Sequence, residues 1–213
     1  MPLFKTIQHT FTNGRTATVL IWHITETAEQ LLQGIFLKAE SVVRFQSMKS
    51  KMHQCGFLSI RHLLSAANLS DEELFYDVNG KPFLNNGIHI SISHSHEFST
   101  IVFSGKNIGI DIEKMRSKTP NIATKFCKSE LNFLDASLSD YIKKLTIIWA
   151  AKETVFKIEN EKGISFKDHI EVLKFENNTL QTILNFNNKT TLYEMQMIEI
   201  QSFILVFGIK INQ

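Results

Sequence analysis

The chain has 213 residues, of which 43% are hydrophobic and 21% are charged, and this composition argues against a disordered protein. Its formal net charge of +2 lacks the basic excess of most nucleic-acid binders, so we expect no nucleic-acid partner. Cys55 and Cys127 form no C-x-x-C pair, which argues against a zinc ribbon or a disulfide framework. Without a signal peptide or an apolar run long enough to span a bilayer, we expect a cytoplasmic protein with no membrane partner.

The first half of the chain predicts a hairpin, then helices, then strands. Asn13-Gly14 suits the positive φ angles of a type I′ turn and divides the strand-like stretch 3–24. A helix start at Thr25 to Ala28 and apolar residues at helical spacing predict the helices. The helices run through residues 25–36, 42–45 and 57–68, and the strands through 74–78, 88–95 and 98–104.

Polar residues suited to phosphate binding stand at two places in this half. Lys81 lies in the turn Asn79-Gly80-Lys81-Pro82, and Ser93 and His94 end the strand 88–95. An exposed turn lysine and a polar strand end are the simpler interpretations. A serine hydrolase is excluded, because Ser93 and His94 point to opposite strand faces and no G-x-S-x-G elbow surrounds Ser93.

The stretch Ile108-Gly109-Ile110-Asp111-Ile112-Glu113 organises the chain. As a strand it places the isoleucines on one face and Gly109, Asp111 and Glu113 on the other. Two ionised carboxylates about 7 Å apart repel by about 2 kcal/mol at an effective dielectric of about 20, and Mg²⁺ would offset that repulsion. Gly109 is expected to leave open space for a ligand. The alternative is a hydrated strand end.

The second half predicts helices at 121–126, 129–134 and 140–160, followed by strands at 169–175, 180–186, 191–198 and 203–209 that close a second antiparallel sheet. In the last helix Trp149, Glu153 and Lys157 are spaced by four and share one face. The tryptophan in this stripe indicates a partly buried wall with charged groups. The alternative is an exposed Glu153–Lys157 pair that contributes only about 0.2–0.5 kcal/mol.

Four blocks stand in order along the chain: Gly80-Lys81-Pro82, Ser93-His94-Ser95, Gly109-Ile110-Asp111-Ile112-Glu113, and Trp149-Ala150-Ala151-Lys152-Glu153 with Lys157. Together they resemble the 4′-phosphopantetheinyl transferase superfamily, in the larger single-chain type that acts on peptide synthetase or acyl carrier domains. The resemblance covers residues 79–157 and is weaker on either side. It implies an α+β fold of two similar α/β subdomains related by a pseudo-twofold, with the active site in the cleft between them.

The resemblance also implies the reaction and the roles of single residues. The 4′-phosphopantetheine group of coenzyme A would move to a serine of an acyl or peptidyl carrier protein, with Mg²⁺ present, and adenosine 3′,5′-bisphosphate would be released. Residues 1–105 would supply coenzyme A phosphate contacts, and residues 106–213 the metal and catalytic residues. The metal ligands would be Asp111, Glu113 and Glu153, the catalytic residues Glu153 and Lys157, and the coenzyme A contacts Lys81, Ser93, His94, Lys152 and Lys51. Since one chain would hold both halves of the site, we expect a monomer.

The chain departs from the family at one expected coenzyme A contact, and the resemblance also implies a surface for the carrier protein. Relatives carry a coenzyme A-binding arginine upstream of the one corresponding to Arg61, where this chain reads Ser50-Lys51-Met52-His53-Gln54. Either Lys51 or His53 would take the place of that arginine, or this contact with coenzyme A is missing. Carrier domains are acidic around the target serine, and the basic residues expected to meet them are Lys114, Arg116, Lys118 and Lys125.

Two alternatives use the same residues. A Mg²⁺-dependent hydrolase of nucleotide pyrophosphates could employ the same three carboxylates, and it would consume coenzyme A without a carrier. A non-catalytic carrier-binding module would have lost the chemistry. The charges of Asp111, Glu113, Glu153 and Lys157 argue against the module, because pure binding has no use for them.

Overall fold

The computed structural model describes residues 3–173, 175 and 178–211. The chain divides into two compact units, Met1–Lys106 and Asn107–Gln213, called unit 1 and unit 2 below. Each unit combines an antiparallel sheet with one long helix. This mixture of helices and several sheets agrees with the α+β class that the sequence predicts. No helix within the described residues is both long and apolar enough to span a bilayer.

Within its described residues, unit 1 contains a four-stranded sheet, a two-stranded sheet and three α-helices. Its elements are β1 (Leu3–Thr10), β2 (Thr16–His23), α1 (Ala28–Leu32), α2 (Ala39–Ser47), α3 (Lys51–Ala66), β3 (Leu74–Tyr76), β4 (Pro82–Leu84), β5 (His89–Ser95) and β6 (Phe98–Ser104). The larger sheet has the order β1-β2-β6-β5 with antiparallel neighbours, and β3 pairs with β4.

Local sequence signals set the ends of the unit 1 elements. The pairing of β1 with β2 confirms the predicted hairpin, and Gly14 between them has a φ of 78°. Asn13 does not have a positive φ, so the predicted type I′ turn is wrong. Thr27 accepts the N–H of Gln30, whose side chain accepts the N–H of Thr27, so a capping box begins α1. Ser50 caps α3, and the buried face of α3 then packs with β2 and β6 residues such as Trp22 in the unit 1 core.

Unit 2 contains a five-stranded antiparallel sheet covered by its long helix. Its elements are β7 (Ile108–Lys114), α4 (Ala123–Phe126), α5 (Tyr141–Glu159), β8 (Ile170–Val172), β9 (Thr179–Phe186), β10 (Lys189–Ile200) and β11 (Phe203–Lys210). The strand order β7-β11-β10-β9-β8 confirms the second antiparallel sheet and places the organising strand at one edge. Asn187 and Asn188 both have positive φ in the turn between β9 and β10, as expected of an Asn-rich turn.

Two predicted elements of unit 2 are shorter than expected. The predicted α-helix 129–134 is instead a 3₁₀ turn, Ser129–Asn132. The side chain of Glu130 explains it: the carboxylate is buried and accepts the N–H groups of Lys128 and Val172, which holds the turn against β8. The predicted strand 169–175 is reduced to β8, and its position 174 lies outside the described residues.

Helix α5 packs directly on β7 at Gly109. A Cβ atom added to Gly109 would lie 2.5 Å from the Thr154 carbonyl oxygen and 2.8 Å from Ile158 Cγ1. The expectation that Gly109 leaves open space for a ligand is therefore wrong, because the helix occupies that space. Both faces of β7 are covered, and fully buried side chains of α5 such as Val155 contribute about 1.5–3 kcal/mol each to this packing.

Candidate active site

Strand β7 and helix α5 bring four of the predicted site residues together. Asp111 and Glu113 lie on β7, and Glu153 and Lys157 lie one turn apart on α5. Lys157 Nζ is 2.8 Å from Asp111 Oδ1 and donates to the Ile110 carbonyl at 3.0 Å. Since Asp111 is only 4% exposed, the lysine neutralises a carboxylate that is largely withdrawn from water.

The three carboxyl groups interact electrostatically. Burial and the charge of Asp111 raise the pKa of Glu153 to about 7, against the lowering effect of Lys157. Burial and then Asp111 also raise the pKa of Glu113. The repulsion inferred from the sequence for Asp111 and Glu113 therefore includes Glu153. A carboxyl group with a pKa near 7 can accept and release a proton at neutral pH.

Trp149 orients Glu113, a contact that the sequence does not reveal. Its indole Nε1–H donates to Glu113 Oε1 at 3.0 Å, and its ring packs against Phe126 and Phe166 with centroids 5.1 and 5.4 Å away. This half-buried position confirms the partly buried wall predicted for the Trp149 stripe. A pocket of about 210 Å³ opens beside Glu113 and Trp149. It is also lined by Lys114, Arg116, Thr119, Ile122, Phe126 and Thr146.

The donor types at this site suit a hard divalent cation. Mg²⁺ prefers carboxylate oxygens, and a cation would relieve the repulsion among Asp111, Glu113 and Glu153. Across the part of the chain that the structure describes, however, no three His, Cys, Asp or Glu side chains converge to hold a metal ion. Here the ammonium group of Lys157 contacts Asp111. The residue chemistry fits Mg²⁺, and the metal site stays a prediction.

Lys152 does not have the role predicted for it. The side chain is 0% exposed, and its Nζ lies 2.6 Å from Glu130 Oε1 and donates to the carbonyls of Phe126 and Phe166. Successive helix residues are about 100° apart around the axis, so Lys152 lies on a different face of α5 from Glu153, and that face points into the core. Lys152 therefore cannot contact a coenzyme A phosphate. Its ion pair and hydrogen bonds instead connect α5 to Glu130 and to Phe126.

In unit 1, Lys81 lies in the turn that the sequence predicts. Asp77 Oδ1 accepts the N–H groups of Asn79 and Lys81, and Gly80 has a φ of 84°. Lys81 lines a pocket of about 370 Å³ together with His89. Burial, followed by the charges of Lys81 and Lys106, lowers the pKa of His89. The pocket thus places the ammonium group of Lys81 beside the carboxylate of Asp77 and the ring of His89, a lining residue that the sequence analysis did not single out.

The other predicted unit 1 residues lie at the end of β5 and the start of α3. Ser93 is buried at 7% exposure, whereas His94 is exposed. The His94 ring stands edge-on to the ring of His53, with centroids 6.0 Å apart. Lys51 Nζ instead pairs with Glu29 Oε1 at 2.9 Å on the surface. Of the two substitutes proposed for the missing arginine, His53 lies beside another predicted site residue.

Comparison with known proteins agrees with these observations. Residues 107–206, which include the whole β7–α5 cluster, match the family described as the 4′-phosphopantetheinyl transferase superfamily. The chain is similar to the 4′-phosphopantetheinyl transferase gsp of Aneurinibacillus migulanus, with 30% identity over 173 residues that cover 76% of this chain and 71% of that protein. This alignment is longer than the stretch 79–157 that carries the motifs.

Two further relatives match over shorter regions. Enterobactin synthase component D of Salmonella typhimurium is 36% identical over 87 residues, which cover 38% of this chain and 36% of that protein. A 4′-phosphopantetheinyl transferase of Bacillus subtilis is 37% identical over 93 residues, which cover 40% of each chain. With the motifs and the long alignment in agreement, the resemblance is confirmed: the chain belongs to the 4′-phosphopantetheinyl transferase superfamily, a family of enzymes.

Proposed function

We propose that this enzyme transfers the 4′-phosphopantetheine group of coenzyme A to a serine of an acyl or peptidyl carrier protein and releases adenosine 3′,5′-bisphosphate. The observation that carries the proposal is the cluster of Asp111, Glu113, Glu153 and Lys157 on β7 and α5, in a chain of this superfamily. The names of the relatives support the same reaction class.

In the proposed reaction the serine oxygen attacks the phosphorus that bears the pantetheine arm. A bond forms between that oxygen and the phosphorus, and the pyrophosphate P–O bond breaks. Its electron pair leaves with adenosine 3′,5′-bisphosphate, and Glu153 accepts the serine proton directly or through water. Phosphoryl transfer depends mainly on positioning and on neutralisation of developing charge, which carboxylates, a cation and a lysine can provide.

Asp111, Glu113 and Glu153 would hold Mg²⁺, which when bound neutralises charge on the pyrophosphate. Lys157 would contact the phosphate under attack, and its ammonium group already lies at the edge of the carboxylate cluster. Trp149 would keep Glu113 oriented through its indole N–H. If Lys157 acts mainly in the transition state, Lys157→Ala lowers kcat more than coenzyme A affinity.

Lys81, Ser93, His94 and either Lys51 or His53 would contact the phosphates of coenzyme A from unit 1. The pocket beside Lys81 and the contact of the His94 ring with the His53 ring support this assignment. Lys152 has no part in it. The pseudo-twofold relation of the two halves, the cleft site, the monomeric state, the cytoplasmic location and the lack of nucleic-acid or membrane partners stay predictions.

The carrier protein would dock on the basic residues that follow β7. Arg116, Lys118 and Lys125 are exposed, and Lys114 and Arg116 line the pocket beside Glu113. An acidic carrier surface would meet these charges next to the carboxylates. Charge reversal at Lys118 and Lys125 should lower kcat/KM for the carrier without changing the KM for coenzyme A; unchanged carrier kinetics would remove this surface from the proposal.

The test is intact-mass analysis of a panel of apo carrier proteins incubated with the enzyme, coenzyme A and Mg²⁺, with EDTA and no-carrier controls. A phosphopantetheine mass gain that EDTA abolishes is the expected result. Coenzyme A cleaved without a carrier would support the hydrolase instead. Carrier binding without a mass gain or coenzyme A cleavage would support the non-catalytic module.

A further inference from the structure

Gly56 occupies an unexpected place, the second turn of α3. The residue is buried, has helical conformation and is not among the glycines with positive φ. Glycine inside a helix is less favourable than alanine, because its backbone loses more freedom on folding. Backbone geometry therefore gives no reason for a glycine at this position. The remaining reason is a lack of room for a Cβ atom.

The space beside Gly56 is taken by the imidazole ring of His94. A Cβ atom added to Gly56 would lie 2.6 Å from Cδ2, 3.2 Å from Cγ and 3.2 Å from Nε2 of that ring, which are its three nearest atoms. The first distance is shorter than van der Waals contact allows. His94 is an exposed side chain at the end of β5, so a methyl group would displace the ring rather than the backbone.

Gly109 shows the opposite case. A Cβ atom there would meet the carbonyl oxygen of Thr154, and a backbone atom inside α5 cannot move without moving the helix. A change at Gly109 therefore acts on folding, whereas a change at Gly56 acts on the position of one side chain.

We infer that Gly56 is a positioning residue for coenzyme A binding: its missing side chain lets the His94 ring rest on α3, beside His53. The contact with Gly56 holds one edge of the ring, and the edge-on contact with His53 limits its tilt. This inference rests on the proposed function, because it assigns His94 to a phosphate of coenzyme A.

The first test is Gly56→Ala, with Ser65→Ala as the control on the same helix. Ser65 is exposed, so its replacement raises helix propensity without touching His94. We expect Gly56→Ala to melt at the wild-type temperature or above, yet to bind coenzyme A about tenfold more weakly by calorimetry, the scale of one charge-assisted hydrogen bond. Ser65→Ala should keep wild-type affinity. Wild-type affinity in a folded Gly56→Ala variant would overturn the inference.

The second test repeats the change in a His94→Ala background. If Gly56 acts through His94, the double variant binds coenzyme A no more weakly than His94→Ala alone. Losses that simply add would overturn the inference. Should Gly56→Ala fail to fold, His94→Ala must restore its folding, since the three atoms nearest to the added methyl group all belong to the His94 ring. A double variant that stays unfolded also overturns the inference.

A third measurement needs no coenzyme A and so separates this inference from the proposed function. The ring Cε1–H signals of the eight histidines can be recorded by NMR, with the His94 signal assigned from its loss in His94→Ala. Gly56→Ala should shift the His94 signal and leave that of His23, which stacks on Phe98, in place. An unmoved His94 signal contradicts the positioning role, while a moved signal in a protein that binds no coenzyme A contradicts the proposed function alone.

Discussion

Lys51 and Lys152 each form an ion pair with a glutamate, but the two pairs lie in contrasting surroundings. In unit 1 the side chains of Lys51 and Glu29 are 75% and 71% exposed. In unit 2 those of Lys152 and Glu130 are 0% and 1% exposed. The surface lysine can release its glutamate and meet another anion at little cost, whereas the buried lysine cannot.

The same contrast separates the predicted site residues of the two units. In unit 2, Lys157 forms an ion pair with Asp111, and the Trp149 indole donates a hydrogen bond to Glu113. The charged groups near the proposed chemistry are therefore fixed by packing and hydrogen bonds. Unit 1 presents His94 at its surface, placed by the absence of a side chain at Gly56. Substitutions in unit 2 should therefore affect stability or activity strongly, while those in unit 1 should act mainly on ligand affinity.

The largest effect on stability is expected from Lys152→Met. Removing one partner of a buried ion pair leaves Glu130 charged without its cation, and the free energy of unfolding should fall by about 3–5 kcal/mol in urea denaturation. Lys51→Met is the matched control and should leave the midpoint unchanged. The double variant Lys152→Met/Glu130→Gln should recover part of the loss. A Lys152→Met variant of wild-type stability would contradict the structural role of Lys152.

The second effect is a loss of stability on substitution of Gly109, where α5 packs closely on β7. Gly109→Ala forces a methyl group against the Thr154 carbonyl, and we expect a loss of about 1–3 kcal/mol in the free energy of unfolding. Gly105→Ala is the control, because no atom lies within 4 Å of its added Cβ. Thermal denaturation compares the two. Equal stability of both variants would mean that α5 does not pack closely on Gly109.

The smallest effect is a difference in maleimide labelling between Cys55 in unit 1 and Cys127 in unit 2. Burial and then the charge of Glu130 raise the pKa of Cys127 to about 12, and its side chain is inaccessible. Cys55 also has a raised pKa, owing first to burial, but it is partly exposed. At pH 8 a maleimide should label Cys55 slowly and Cys127 only after unfolding, as peptide mass mapping can show. Labelling of Cys127 first would contradict the buried environment.

Much of the fold could be predicted from local patterns. Asn13-Gly14 indicated the first hairpin, the alternating isoleucines indicated β7, and apolar spacing indicated α3 and α5. For the β7–α5 cluster, the periods showed only that Glu153 and Lys157 share a helix face and that Asp111 and Glu113 share a strand face. That the two pairs belong to one site followed from the family resemblance. The local signals lie within single elements, where side-chain direction follows from the period of the backbone.

The remaining features depend on contacts between elements, which no local period reveals. The sequence shows that Gly109 lacks a side chain but not that α5 fills the gap. It places Lys152 beside Glu153 but gives no sign of Glu130, 22 positions earlier, as its partner. Nor does it join the indole of Trp149 to Glu113 or the ring of His94 to Gly56.

The central claim is that the carboxylate cluster of β7 and α5 performs the transfer, and one comparison of rates tests it most directly. Wild-type enzyme and Glu153→Gln are incubated with an apo carrier, coenzyme A and Mg²⁺, and the carrier mass is followed over time, with circular dichroism to verify folding. Glu72→Gln, exposed in unit 1, is the matched control. We expect Glu153→Gln to remain folded and to slow transfer by about a hundredfold or more, while Glu72→Gln reacts normally. Near-normal transfer by Glu153→Gln would contradict the account.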